Sequence, residues 1–321
     1  MDFHLLVTNI TNPTLLFFIL GIVATLVKSD LEIPASTSKF ISIYLLFSIG
    51  FKGGQELAIS TFNTEIIYSI LYGLFIASII PIYVFFILKK KMDISNAVAV
   101  ASAYGSVSAV TFVSAVAFLE AQTITYNGHM VAVMALMESP AIIVGVILMM
   151  KFDKSSNENT KLGSIIKHSI TNGSVLIILG SLIIGLIADT KQAEGIKPFT
   201  NDIFKGFLAI FLLEMGMVTA SRFSAFKKYG LFLTLFAIIV PLINGSLVAM
   251  LSSIVTNNPG NRFIFAILAA SASYIAVPAA MRLVAPKSDP GLFMTMALGI
   301  TFPFNITIGM PIYYSIINHF S

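Results

Sequence analysis

The chain contains ten apolar stretches in succession, and the second five weakly copy the first five. MALMESPAIIVGVIL (134–148) has a counterpart in MALGITFPFNITIGM (296–310). ASAYGSVSA (101–109) matches ASASYIAVPA (270–279) with one extra residue, and LLFSIGF (45–51) matches FLLEMGM (211–217). Pro81 and Pro241 fall at corresponding places. The matches keep their order at a spacing of about 160–170 residues, far beyond the roughly 20–50 residue period of solenoids. Apolar segments match readily by chance, so it is the shared order that gives the pairing weight.

A membrane-spanning helix needs about 20 mostly apolar residues. This predicts helices at 13–28, 37–51, 65–88, 95–119 and 129–151, then at 163–188, 203–219, 229–255, 261–284 and 291–317. The helix at 37–51 is short and polar enough to lie tilted or partly in the interface. The polar stretch KFDKSSNENTKLG from Lys151 reads as a connector. The expected organisation is a first five-helix repeat at 1–151, a cytoplasmic linker at 152–162 and a second repeat at 163–321. Met1 to Asn12 has no Lys or Arg, so no leader peptide is expected there.

Composition agrees with a membrane protein. Of 321 residues, 57% are hydrophobic and 11% charged, whereas a soluble domain carries about 25% charged residues. The absence of cysteine excludes a disulfide framework, a thiolate metal site and a cysteine nucleophile. The four histidines have no ligand spacing. The net charge of +4 sits in lysines that report topology, and no nucleic-acid partner is expected. The sequence has no G-x-S-x-G, H-E-x-x-H or Walker loop, and Gly50, Gly53 and Gly54 form no phosphate loop. The chain is therefore expected not to be an enzyme, and its transport must draw on an ion gradient or run downhill.

Fourteen of the 19 Lys and Arg fall in the loops after the odd-numbered helices, among them Lys89, Lys90, Lys91, Lys151 and Arg282. The even-numbered loops hold Lys52, Lys191, Lys197, Lys205 and Arg262. The positive-inside rule then places both termini outside a bacterial-type plasma membrane. With five helices in each repeat, the two copies enter the membrane from opposite sides. Inverted repeats of this kind build many secondary transporters, with sites near the midplane where the repeats meet.

The chemistry is expected in 95–119 and 269–282, two membrane-depth segments rich in small and hydroxylated residues. Gly and Ser clusters permit a helix to break, and Pro278 removes a backbone donor. The half-helix that starts after a break offers amides and a dipole to a small anion, and the carbonyls ending the first half suit a cation. The bland alternative for any one serine is close helix packing. The candidate anion-binding residues are Tyr104, Gly105, Ser106, Val107, Ser108, Ser273, Tyr274 and Ile275, with Thr111 a further hydroxyl. The candidate sodium ligands are Ser102, Glu138, Ser271, Thr301 and Asn305.

Glu138 is an acid inside an apolar run, where a charge costs at least about 2.5–3.5 kcal/mol and so faces a cavity, a partner or an ion. It could bind sodium, carry a proton, or serve as a buried partner to a hydroxyl or lysine. Glu214 in FLLEMGM is a second candidate. Thr301 and Asn305, in the stretch matching that of Glu138, offer neutral oxygens to a hard cation.

At YGSVSAVTFVSAVAFLE (104–120), MESPA (137–141) and SASYIAVPAAMR (271–282) the chain resembles the sodium-dependent bicarbonate transporter family known from cyanobacteria. The resemblance runs over nearly the whole length. It implies ten helices in two inverted repeats, crossing broken helices four and nine, a core domain and a gate domain. It also implies a homotrimer that carries bicarbonate inward with sodium by an elevator-like motion. Gly105, Ser106, Ser108, Ser271 and Ser273 would line the bicarbonate and sodium sites. Glu138 stands where the family motif has aspartate, and Tyr274 where it has an acidic residue. A PII-like cytoplasmic regulator becomes a candidate partner through the same resemblance. The alternatives are a sodium- or proton-coupled carrier of another small carboxylate, a cation/proton exchanger using Glu138, a passive channel, and a membrane sensor.

Overall fold

The computed structural model describes residues 9, 11–60, 63–153 and 173–320. Among them all regular structure is helical. The first elements are α1 (Pro13–Leu26), α2 (Ala35–Ile59), α3 (Thr64–Leu88), α4 (Ile94–Gly105), α5 (Ala109–Ala121) and α6 (His129–Phe152). Then follow α7 (Gly173–Ile187), the short α8 (Thr190–Glu194) and a π turn at Pro198–Asp202. The chain continues with α9 (Phe204–Ser221), α10 (Phe223–Leu251), α11 (Pro259–Ala270) and α12 (Ala276–Val284). The last helical stretch, α13 (Pro290–His319), carries two π turns at Ala297–Thr301 and Asn305–Gly309.

Polar residues at the helix starts fix these boundaries by accepting backbone N–H groups that the helix leaves unpaired. Asn12 caps α1, Asn63 caps α3, Asp93 caps α4 and Asn258 caps α11. Among the described residues, six helical stretches are long and apolar enough to cross a membrane, judged by length and composition. They are Thr64–Leu88, Ile94–Ala121, His129–Phe152, Pro198–Ser221, Gly230–Ile254 and Pro290–His319. The other four expected spans differ for identifiable reasons. α1 and α7 are apolar but have 14 and 15 described residues. At 1.5 Å per residue α1 reaches about 21 Å, short of a hydrocarbon core of about 30 Å, and α7 is described only from Gly173 onward. α2 is long but polar, and the ninth span is cut in two between α11 and α12.

Several boundaries depart from the sequence reading. The second helix runs to Ile59, eight residues beyond the expected end. Lys52 therefore lies within α2 and not in a loop, while Lys205 and Arg262, counted with the loops, stand in the first turns of α9 and α11, inside the helices expected there. Apolar window counting ended the helix at Lys52 because it cannot see that Gly53 and Gly54 are packed. Gly230, with φ 81, breaks α10 close to the expected start of the eighth span. The linker beyond Asp153 and the first part of the expected helix 163–188 lie outside the described residues.

Two kinds of helix pairing organise the molecule. α1 packs along α9 and α2 along α7, while α3 packs on α4 and α6, and α10 on α11 and α13. The first two pairings are close backbone approaches at glycines. A Cβ on Gly216 of α9 would strike the Phe18 carbonyl of α1, and one on Gly21 would strike the Leu213 carbonyl. Gly54 of α2 and Gly185 of α7 meet each other in the same way, as small residues do where membrane helices approach closely.

Gly216→Val is expected to lower stability by about 1–3 kcal/mol through overpacking, read as a lower melting temperature in detergent. Gly206→Ala on the same helix serves as control, since nothing lies within 4 Å of the added carbon. Equal melting of the two variants would show that the α1–α9 contact contributes little.

Candidate functional site

The fourth span breaks because its first half ends at Gly105 and the chain turns extended at Ser106 and Ser108, with ψ of 147 and 111. Ser108 then caps α5, its Oγ accepting the Thr111 N–H at 3.2 Å. The ninth span breaks at Ser271, with ψ of 166, and resumes at Ala276. Pro278 sits in the first turn of α12, where a missing N–H costs no intrahelical bond.

The two breaks are tied to each other. The Ser273 N–H donates to the Ala103 carbonyl at 2.8 Å, and the Ser108 N–H to Ser271 Oγ at 3.0 Å. Ser271 Oγ in turn donates to Leu268 O at 2.9 Å. Breaking a helix at membrane depth leaves carbonyls that no water can satisfy. α13 supplies further partners for that purpose. Asn305 Nδ2 donates to the Ala270 carbonyl at 2.8 Å, and Thr301 Oγ1 lies 2.8 Å from the Tyr104 hydroxyl and donates to Ala237 O.

A narrow cleft opens where the second halves begin. It is lined by Val107, Ser108 and Ala109 on one side, by Ser273, Tyr274 and Ile275 on the other, and by Met134, Glu138 and Ser174. It leaves about 10 Å³, the room for a single water-sized body. Glu138 is buried and makes no hydrogen bond or ion pair with a described residue through its carboxylate. Its backbone carbonyl accepts from Ser106 Oγ at 3.3 Å. The cleft thus sets one carboxylate against the starts of two helices, α5 and α12. Helix starts attract an anion, while a lone carboxylate in a low-dielectric setting attracts a cation.

Val107, Ser108, Ser273, Tyr274, Ile275 and Glu138, read from sequence as site residues, meet in this cleft. Ser106 stands beside it through Glu138, and Gly105 fits the end of α4 between Pro81 and Ala141. Tyr104, Ser271, Thr301 and Asn305 do not line the cleft; they are buried and hold the helix ends around it. Ser102 is buried against Gly145 with its hydroxyl unpartnered. Thr111 is held through its own N–H by the Ser108 cap. Glu214 lies on α9, beside Ser38 and outside the cleft. Ala109, Met134 and Ser174 were not anticipated. Met134 opens the repeated MAL motif, a signal that was available, whereas Ser174 sits in a stretch without any motif. Tyr274, buried, rests its hydroxyl 3.9 Å from Met215 sulfur, so it joins the cleft to α9.

A multi-pass helical membrane protein in which two broken helices meet at a small polar cleft has the architecture of a secondary transporter. The chain matches the model of the Na+-dependent bicarbonate transporter superfamily over residues 13–318, nearly its whole length, and it belongs to that superfamily. Among curated proteins no match is found. Membership implies sodium-dependent transport of bicarbonate across a membrane by a protein that is not an enzyme, with sodium as a coupling ion and not a bound cofactor.

Proposed function

We propose that the protein is a symporter that moves bicarbonate inward together with sodium, and that both bind between the starts of α5 and α12 when the cleft there widens beyond its present water-sized gap. The observation that carries this is the buried Glu138 carboxylate facing two helix N-termini. An anion seated on those termini would be repelled by Glu138 unless a cation lay between them. Sodium entering with the anion removes both the repulsion and the cost of the unpaired carboxylate, which makes binding of the two ions interdependent. Ser108 and Ser273 are the hydroxyls closest to such a pair, and Tyr274 closes the cleft.

The reading includes ten spans in two inverted repeats of five. Exchanging the first five helices for the second leaves the packing scheme unchanged: α1 with α9 mirrors α7 with α2, and α3 with α4 and α6 mirrors α10 with α11 and α13. Gly50 and Gly216, equivalent in the LLFSIGF and FLLEMGM match, both bring a helix against a neighbouring backbone. The pairs α1–α9 and α2–α7 would form a gate domain, and the remaining helices a core that slides against it as an elevator. Both termini would lie outside a bacterial-type plasma membrane. Assembly as a homotrimer and control by a PII-like protein at the cytoplasmic face extend the family resemblance.

In proteoliposomes an inward sodium gradient is expected to drive labelled bicarbonate uptake, and replacing sodium with choline to abolish it. Uptake that is equal in choline would remove the coupling from the reading.

A further inference from the structure

A second cavity lies away from the crossing, where α2, α5 and the π turn before α9 come together. It encloses about 310 Å³ and is lined by Lys52, Glu120, Thr200, Asn201 and Lys205, with Ser48 in its wall. Glu120 ends α5 and reaches across to both lysines. Its Oε1 accepts from Lys52 Nζ at 2.9 Å, and its Oε2 lies 3.5 Å from Lys205 Nζ. One carboxylate fork therefore spans two ammonium groups. Ser48 is 1% exposed, and its hydroxyl has no hydrogen-bond partner. The neighbouring Tyr44 hydroxyl donates instead to the Phe199 carbonyl. A buried hydroxyl left unpartnered is costly unless something periodically fills its place.

We propose that this cavity is an entry site for a small planar oxyanion, bicarbonate or a short carboxylate. Lys52 and Lys205 are its cationic contacts, and Glu120 is the group the anion displaces. Bicarbonate carries the same O–C–O fork that Glu120 presents, so the exchange keeps both lysines paired. The displaced Glu120 side chain is 28% exposed and meets water, and the Ser48 hydroxyl gains an acceptor. Asp202 also lines the cavity and Glu56 stands close to Lys52 and Glu120, so the site holds an anion only when Glu120 gives way. The identity of the anion rests on the symport reading; the site itself rests on the lysine pair and the cavity.

Two measurements test it. In uptake from the outer side, Glu120→Gln is expected to lower the KM for bicarbonate several-fold, because a neutral amide competes poorly for the lysines. Lys205→Gln, on a side chain 62% exposed and so harmless to folding, is expected to raise KM by roughly tenfold with kcat unchanged. If the three charged groups form only a structural ion pair, Glu120→Gln leaves KM unchanged or raises it, and either result overturns the proposal. The second measurement needs no transport. Purified unaltered protein without sodium, whose cleft repels an anion through Glu138, is expected to show scintillation-proximity binding of labelled bicarbonate, to lose it in Lys205→Gln, and to lose it progressively with salt. Binding that survives Lys205→Gln would overturn the entry site. Failure of sodium-driven uptake in the unaltered protein, with lysine-dependent binding intact, would instead overturn the symport reading.

Discussion

Glu138→Gln is expected to strip bicarbonate uptake of its dependence on sodium. Glutamine keeps the shape and size of the side chain and removes the charge, so the cleft between α5 and α12 keeps its walls. What disappears is the one carboxylate among the described residues that line it. A hydrogen bond or contact to a charged group is worth about 1.5–3 kcal/mol, which corresponds to a roughly ten- to hundredfold rise in the sodium concentration for half-maximal uptake. Residual uptake should respond to bicarbonate but only weakly to sodium, since the helix starts remain. Glu138→Asp is the informative companion. It restores the charge on a shorter arm, so sodium dependence should survive. A sodium curve for Glu138→Gln that overlays the unaltered protein would take Glu138 out of the site, and the cation would then have to be held by neutral oxygens alone.

How far this cleft was legible in the sequence depends on which physical signal each residue leaves there. Ser106 to Ser108 and Ser271 to Ser273 were visible because small and hydroxylated residues at membrane depth are unusual, and a helix cannot run through them comfortably. Glu138 was visible for a similar reason, as a charge inside an apolar run. Those signals located the two breaks and the acid. The residues that complete the arrangement leave no such mark. Thr301 and Asn305 look like neutral cation ligands in a string of letters, yet here their hydrogen bonds go to the Tyr104 hydroxyl and to the carbonyls of Ala237 and Ala270. Whether a polar atom faces a cleft or a helix end depends on its direction around the helix, and two π turns in α13 shift that direction away from an ideal helix.

The repeat itself was readable as order and misleading as register. ASAYGSVSA and ASASYIAVPA align Ala101 with Ala270. The helices align differently: α4 and α11 each have 12 residues after their Asp93 and Asn258 caps, which sets Gly105 opposite Ala270 and Ser106 opposite Ser271. The break in the ninth span is longer, five residues against three, so no single spacing fits both sides of it. Helix ends were legible where a cap residue stands before an apolar run. They were lost at α2, where Lys52 interrupts the hydropathy although Gly53 and Gly54 continue the packed helix. The Lys52–Glu120–Lys205 cluster was invisible because its members lie 68 and 85 positions apart and its two lysines were counted as loop charges.

Gly105→Val is expected to reduce uptake by at least about tenfold while the protein still inserts and purifies. Gly105 is the last residue of α4, and its Cα passes between Pro81 of α3 and Ala141 of α6. A Cβ there would run into the Pro81 ring, lying 2.7 Å from its Cγ and also 3.0 Å from Ala141 Cβ. The proline ring cannot rotate away as a flexible side chain would, so the end of α4 must move. Overpacking of this sort costs about 1–3 kcal/mol. The displaced residues are those next to Ser106 and Ser108, so part of that cost falls on the cleft; 1.4 kcal/mol lost there is about tenfold in affinity. A paired substitution separates this account from general damage. Gly105→Ala alone should impair uptake, and Pro81→Ala in the same protein should restore a large part of it by opening the space the new methyl needs, a coupling of the kind expected between residues in contact. If Gly105→Ala transports normally, or if Pro81→Ala makes it worse, the end of α4 does not set the geometry of the cleft.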